Sequence, residues 1–145
     1  FDILRTAEIM LLLFWVELFF IKNNGGVRLQ QKLYCKMTLR LWKEEKAFGP
    51  GLLCLLQWIE QYGSMQKAAS QMGLAYSKAW KMIKTAEKEL GFALTERSSG
   101  GKNGGGSRIT PQGKEMMQKY IAFSKEAQMQ VNVLYQKYFG NEVEG

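Results

Sequence analysis

Between Gly63 and Leu90 the chain reads GSMQKAASQMGLAYSKAWKMIKTAEKEL, two short helical patterns with a glycine between them. In the first, Met65, Ala68, Ala69 and Met72 fall at i, i+3, i+4 and i+7 and make one apolar face, while Ser64 stands where an N-cap hydroxyl accepts from the first free amides. Gly73 is suited to the left-handed conformation that ends a helix, and Leu74 to closing that end back onto the last turn. The small Ala68 and Ala69 let a second helix come close. The spacing predicts a helix-turn-helix, and the remaining segments have to pack around it.

The second helix is expected from about Tyr76 to Leu90. At 100° per residue, Ala79, Ile83, Ala86 and Leu90 gather on one side and Ser77, Lys81, Lys84 and Lys88 on the other. One side reads as core and the other as a lysine stripe. Such a helix is about 22 Å long, enough to lie in a DNA major groove with its first turns near base edges and later lysines near phosphates. A stripe of this kind can also be no more than a solvated surface.

Charge supports the first meaning. The 145 residues carry 20 Lys plus Arg against 13 Asp plus Glu, a net charge of +7, which favours an anionic partner such as nucleic acid or an acidic membrane surface. From Gly63 to Lys114 nine basic residues face three acidic ones, Glu87, Glu89 and Glu96, so this segment holds +6 of the +7. Histidine is absent, and Cys35 and Cys54 have no CxxC or Cys/His spacing. Neither a zinc site nor a histidine-based triad can be assembled, no cofactor is implied, and an enzyme is not expected. The two thiols point to a reducing, cytoplasmic setting.

Residues 1–36 differ from the rest. Ile9 to Ile21 is nearly unbroken apolar sequence interrupted by Glu17, shorter than the roughly 20 residues a membrane span needs. No A-x-A cleavage pattern follows it. We expect this leader to lie outside the domain, as translated upstream sequence; an anchor through residues 9–21 is the competing reading. From Met37, Leu39 and Leu41 alternate with Arg40 and Trp42 as a short strand. Glu44, Glu45 and Lys46 then read as a polar turn, Phe48 returns to the core, and Gly49-Pro50-Gly51 breaks the chain. A helix from about Leu52 to Tyr62 follows, with Leu52, Leu55, Leu56 and Ile59 as its buried stripe and Gly63 as its stop. Leu53 and Trp58 lie off the stripe.

After Gly91, Ala93 to Arg97 looks extended, and the loop from Ser98 to Ser107 leads to Arg108-Ile109. Two short strands joined by a basic glycine-rich loop make a β-hairpin wing; a flexible linker is the alternative. A phosphate-cradling loop requires GxxxxGK[ST], which Gly100-Gly101-Lys102-Asn103 lacks. Thr110-Pro111 opens a helix that can reach Phe139. Along it Met117, Tyr120, Ser124, Ala127, Val131, Leu134 and Tyr138 alternate spacings of three and four, the seam of a helix packing lengthwise on another. A second copy of the chain, or its own domain, can supply the partner.

These segments carry a resemblance. Arg40-Leu41-Trp42, Phe48-Gly49-Pro50-Gly51, Gly63-Ser64, Ala68-Ala69, the run from Gly73 to Trp80, the stretch Gly100 to Gly106 and Thr110-Pro111-Gln112-Gly113 resemble the amino-terminal winged helix-turn-helix domain of the ModE-type molybdate-responsive regulators, which are related to LysR-type DNA-binding domains. The likeness covers Met37 to about Tyr120 and leaves residues 1–36 outside. It implies a DNA-binding regulator that dimerises through its long helices. Where the family has a serine before the tyrosine, this chain has Ala75, which removes a helix cap. The oxyanion-binding domains of that family are not expected in this stretch, so molybdate sensing is not expected to carry over, and no small-molecule effector site is identifiable in it.

The expected fold is mainly α with a small β wing: a leader over 1–36, a winged helix-turn-helix over 37–114, and a long dimerisation helix with a short tail over 115–145. The expected function is sequence-specific binding of double-stranded DNA as a homodimeric, cytoplasmic transcriptional regulator. Tyr76, Ser77 and Lys81 are placed at base edges, and Lys78, Lys84 and Lys88 at phosphates or groove walls. Ser64, Gln66 and Lys67 are expected to hold the backbone, with Lys102 and Arg108 on the wing reaching the adjacent groove. The dimer interface is expected at Met117, Tyr120, Ser124, Ala127, Val131, Leu134 and Tyr138. Two alternatives are a winged-helix protein-interaction module that does not bind DNA and a membrane-tethered regulator.

Overall fold

The computed structural model describes residues 32–99 and 105–140. The chain divides into two units, 1–33 and 34–145, and the first lies almost wholly outside the described residues, as does the leader with its anchor reading. Among the described residues, no helix is long and apolar enough to cross a membrane.

The second unit begins with a hairpin of strands β1 (Leu41–Trp42) and β2 (Lys46–Phe48). The segment that reads as a polar turn followed by a core residue is thus partly strand. Leu41 pairs with Phe48 and Trp42 with Lys46, leaving Ala47 as an extra residue in a bulge. The bulge is why two consecutive residues, Ala47 and Phe48, both turn inward. The alternation of Leu39 and Leu41 against Arg40 and Trp42 is present, with the leucines half-buried and the others exposed.

Helix α1 (Pro50–Tyr62) starts two residues earlier than its apolar stripe suggests. Gly49-Pro50 acts as a helix start, because proline at the first position gives up only an amide that has no helical partner. Leu52, Leu55, Leu56 and Ile59 are buried as expected, and Leu53 and Trp58 pack on the edge of the same core. Cys54 is half-buried, and desolvation pushes its thiol pKa up. Gly63 ends the helix at φ +64.

Helix α2 (Met65–Gln71) is capped by the Ser64 hydroxyl, which accepts from the Lys67 amide at 3.2 Å. It closes with the Leu74 amide on the Ala69 carbonyl at 2.9 Å and the Gly73 amide on that of Ser70 at 3.0 Å, the paired bonds that require a left-handed residue between them. Gly73 supplies it at φ +65. Helix α3 (Tyr76–Leu90) starts at Ala75 with no side-chain cap and ends at Gly91, φ +81.

The wing is formed by β3 (Thr95–Ser98) and β4 (Gly106–Ile109), antiparallel with Thr95 opposite Ile109 and Ser98 opposite Gly106. Pairing therefore extends into the glycine- and serine-rich stretch that reads as loop. The Ser107 amide donates to the Gly63 carbonyl at 2.9 Å, fastening the wing to the end of α1.

Helix α4 (Pro111–Phe139) is capped by Thr110, whose hydroxyl accepts from the Gly113 amide at 2.9 Å and donates to the Ala93 carbonyl at 2.6 Å. Gly113 is needed there for space, since a Cβ would lie 2.6 Å from the Leu94 carbonyl oxygen. Met117 and Tyr120 are buried in the chain's own core, where the Tyr120 ring lies 5.0 Å from Phe48 and its hydroxyl donates to the Leu39 carbonyl. These two residues are thus covered within the protomer and are unavailable to a partner, which corrects the expected interface, and a boundary at 114/115 cuts through a packed helix. Farther along, the Gln128 side chain accepts from the Met37 amide and donates to the Cys35 carbonyl. The unit's contacts therefore reach back at least to Cys35, two residues before Met37.

Candidate nucleic-acid interface

Helix α3 sorts its own charges. Lys78, Lys81, Lys84 and Lys88 are exposed, together with Ser77. Its two glutamates are both held by backbone amides. Glu89 is buried, and one of its carboxylate oxygens accepts from the amides of Glu44 and Glu45 at 2.8 and 3.1 Å. Those two hydrogen bonds hold its pKa below the ordinary glutamate range. Glu87 accepts from the amides of Leu94 and Thr95 at 2.8 and 3.2 Å with one oxygen and from Lys84 Nζ at 2.8 Å with the other. One carboxylate fixes the β1–β2 hairpin to the helix, the other fixes the entry to the wing, and the outward face is left cationic.

The sequence periodicity places Ala79, Ile83 and Ala86 inward correctly, with Leu90 at the edge of the core. Glu89 was not expected there. Its signal was present only in three dimensions, because the amides that satisfy it lie 44 and 45 residues away.

The expected contact residues are exposed in part. Gln66 and Lys67 are exposed in the first turn of α2, where Ser64 is occupied in capping. Tyr76 is 53% exposed at the start of α3. Trp80, one turn on, is also exposed and stands 6.0 Å from the Lys84 ammonium; it lies on neither the apolar side nor the lysine stripe that periodicity picks out. Arg108 is exposed on β4, but its guanidinium is paired across the wing with Glu96 at 2.8 Å. Lys102 lies outside the described residues. Arg40 and Lys46, exposed on the hairpin beside α3, were also missed, since their neighbourhood with Lys78 and Lys81 is created by folding.

The expected interface on α4 divides in the same way. Ser124, Ala127 and Val131 are half-buried, while Leu134 and Tyr138 are 54% and 67% exposed. The Ser124 hydroxyl oxygen is buried with no hydrogen-bond partner.

Comparison with known proteins accords with this arrangement. The bacterial regulatory helix-turn-helix proteins of the lysR family match over residues 51–114, from the first turn of α1 to the first turn of α4. The molybdenum transport protein ModE of Herbaspirillum seropedicae is 43% identical over 63 residues, 43% of this chain and 23% of that protein. The DNA-binding transcriptional dual regulator ModE of Escherichia coli K12 is 33% identical over 99 residues, 68% of this chain and 37% of its own length. The chain thus spans well under half of the curated relatives it matches. Among solved structures, ArgP from Mycobacterium tuberculosis aligns with 57% of this chain and 30% of its own at 21% identity and a TM-score of 0.40. Residues 51–114 are a helix-turn-helix domain of the bacterial regulatory lysR family, and the ModE regulators are relatives of this chain over part of their length.

Proposed function

We propose that the protein is a sequence-specific DNA-binding transcriptional regulator that acts as a homodimer in the cytoplasm. The observation that carries this reading is the charge sorting on α3. A helix of 15 residues puts its lysines outward while both of its glutamates are engaged by backbone amides. A merely solvated helix gains by mixing signs on its outer face; a helix meant for a polyanion gains by separating them. The ModE name carried by relatives, one of them described as a DNA-binding dual regulator, points the same way.

In this reading α3 enters the major groove with Tyr76, Ser77 and Lys81 towards base edges, and Lys78, Lys84 and Lys88 bind phosphates or groove walls. Gln66 and Lys67 hold the neighbouring backbone beside the Ser64 cap, and Lys102 and Arg108 reach from the wing. The distal half of α4 supports the dimer: Val131, Leu134 and Tyr138, with Ser124 and Ala127 before them, form a seam that the protomer covers only in part. A two-fold pair would present two copies of α3 to successive turns of the groove.

The test is binding of a mixed-sequence duplex over a range of salt concentrations. Six to eight phosphate contacts predict a log–log slope of about −5 to −7. Absence of binding at low salt would refute the function.

A further inference from the structure

Alongside α3 runs a groove of about 640 Å³ whose two walls come from different parts of the chain. One wall is α3 itself, through Lys78, Lys81 and Thr85; the other is the β1–β2 hairpin, through Arg40, Trp42 and Lys46. The floor is apolar, with Phe48 and Leu52 buried beneath it. Four cations and a single carboxylate, Glu45, line it. Trp42 is 66% exposed at the rim of this groove.

The hairpin is held in place. Its turn is fixed to α3 by the two bonds that Glu89 accepts from Glu44 and Glu45, and its base by the Tyr120 hydroxyl on the Leu39 carbonyl. Arg40 and Lys46 therefore stand beside the lysine stripe before any ligand arrives. The hairpin precedes residues 51–114, the stretch that the lysR-family helix-turn-helix matches.

We propose that the β1–β2 hairpin is a DNA-backbone contact in its own right. Arg40 and Lys46 bind phosphates of the strand that runs past Lys78 and Lys81, and the Trp42 ring lies against the sugars of that strand. Charge complementarity selects the occupant: the groove carries an excess of three positive charges and opens along the face that α3 presents to DNA. A sugar–phosphate strand matches both its cations and its exposed aromatic surface. This inference rests on the DNA-binding reading above and extends its footprint beyond the helix-turn-helix and wing.

The test uses the full chain and a mixed-sequence duplex. The double variant Arg40→Gln/Lys46→Gln should reduce the magnitude of the log–log salt slope by about 1.8, two phosphate contacts at about 0.9 each. The double variant Lys119→Gln/Lys125→Gln, exposed on α4 away from the groove, should leave it unchanged. A benzoylphenylalanine in place of Trp42 should photo-crosslink to the duplex, and this readout also holds if the charge variant is less stable. An unchanged slope in a variant that melts like the parent, or no crosslink while the duplex is bound, overturns the hairpin contact and leaves the DNA-binding reading intact. Failure of the unaltered chain to bind DNA overturns that reading instead.

Discussion

The carboxylate of Glu89 accepts the backbone amide of Glu44 at 2.8 Å, joining the last turn of the lysine-bearing helix α3 to the turn of a hairpin 45 residues earlier in the chain. The same oxygen takes the Glu45 amide, so a negative charge that would oppose a polyanion becomes a strut that positions cations.

That strut predicts a pH dependence. The two amides lower the folded pKa of Glu89 below its unfolded value of about 4.3. A depressed folded pKa contributes stability that is present above the unfolded value and is lost as pH falls through the folded one. Glu89→Gln should therefore lower the urea midpoint at neutral pH, and the gap between parent and variant should close on acidification. A gap that is independent of pH would assign the effect to packing.

Lys81 lies on the outward face of the first half of α3 and has no salt-bridge partner among the described residues. Lys81→Ala should cost about 1–3 kcal/mol on a specific site and relax preference at one position if it reads a base. A uniform loss across sequences would make it a phosphate contact. Lys84 is shared with Glu87 at 2.8 Å, so Lys84→Ala should cost less, measured by anisotropy on the same duplexes.

Gly113 sits where α4 begins beneath the wing. A methyl group there would lie 2.6 Å from the Leu94 carbonyl oxygen and 2.9 Å from Ile109 Cγ2. Because the nearer contact is backbone, Gly113→Ala should cost about 1–3 kcal/mol, the usual cost of overpacking, read from denaturant unfolding. A neutral result would mean that the wing and α4 separate easily.

The distal half of α4 predicts the oligomeric state. Val131 and Leu134 lie on the seam with Tyr138, and Leu134 and Tyr138 are more than half exposed. Covering each aliphatic side chain is worth about 1.5–3 kcal/mol before ordering costs. Val131→Asp/Leu134→Asp should yield monomers by sedimentation and weaken DNA binding more than the loss of any single lysine. An unaltered chain that sediments as a monomer at tens of micromolar would exclude the dimer and a two-fold related site.

Local chemistry was legible without coordinates wherever one segment satisfied its own requirements. The Ser64 and Thr110 caps, the left-handed Gly63, Gly73 and Gly91, and the inward faces of α1, α2 and α3 all follow from spacing within a few residues. They were readable because a cap or an apolar stripe needs only its own helix to be recognised. The second strand of the hairpin was not, since its residues Lys46 to Phe48 match no period of two once Ala47 is bulged.

The sequence by itself determined the helix-turn-helix, the wing and the long α4, together with the concentration of positive charge between Gly63 and Lys114. Only the tertiary structure decided where the charges of α3 and the hairpin point: Glu87 and Glu89 inward to amides supplied by the wing and the hairpin, Arg40 and Lys46 alongside Lys78 and Lys81. It likewise decided that Met117 and Tyr120 belong to the protomer's core and not to the exposed half of the seam. The physical reason is common to all three. A periodic pattern says which side of an element is apolar, whereas the partner that satisfies a charge or covers a face is set by chain segments tens of residues away.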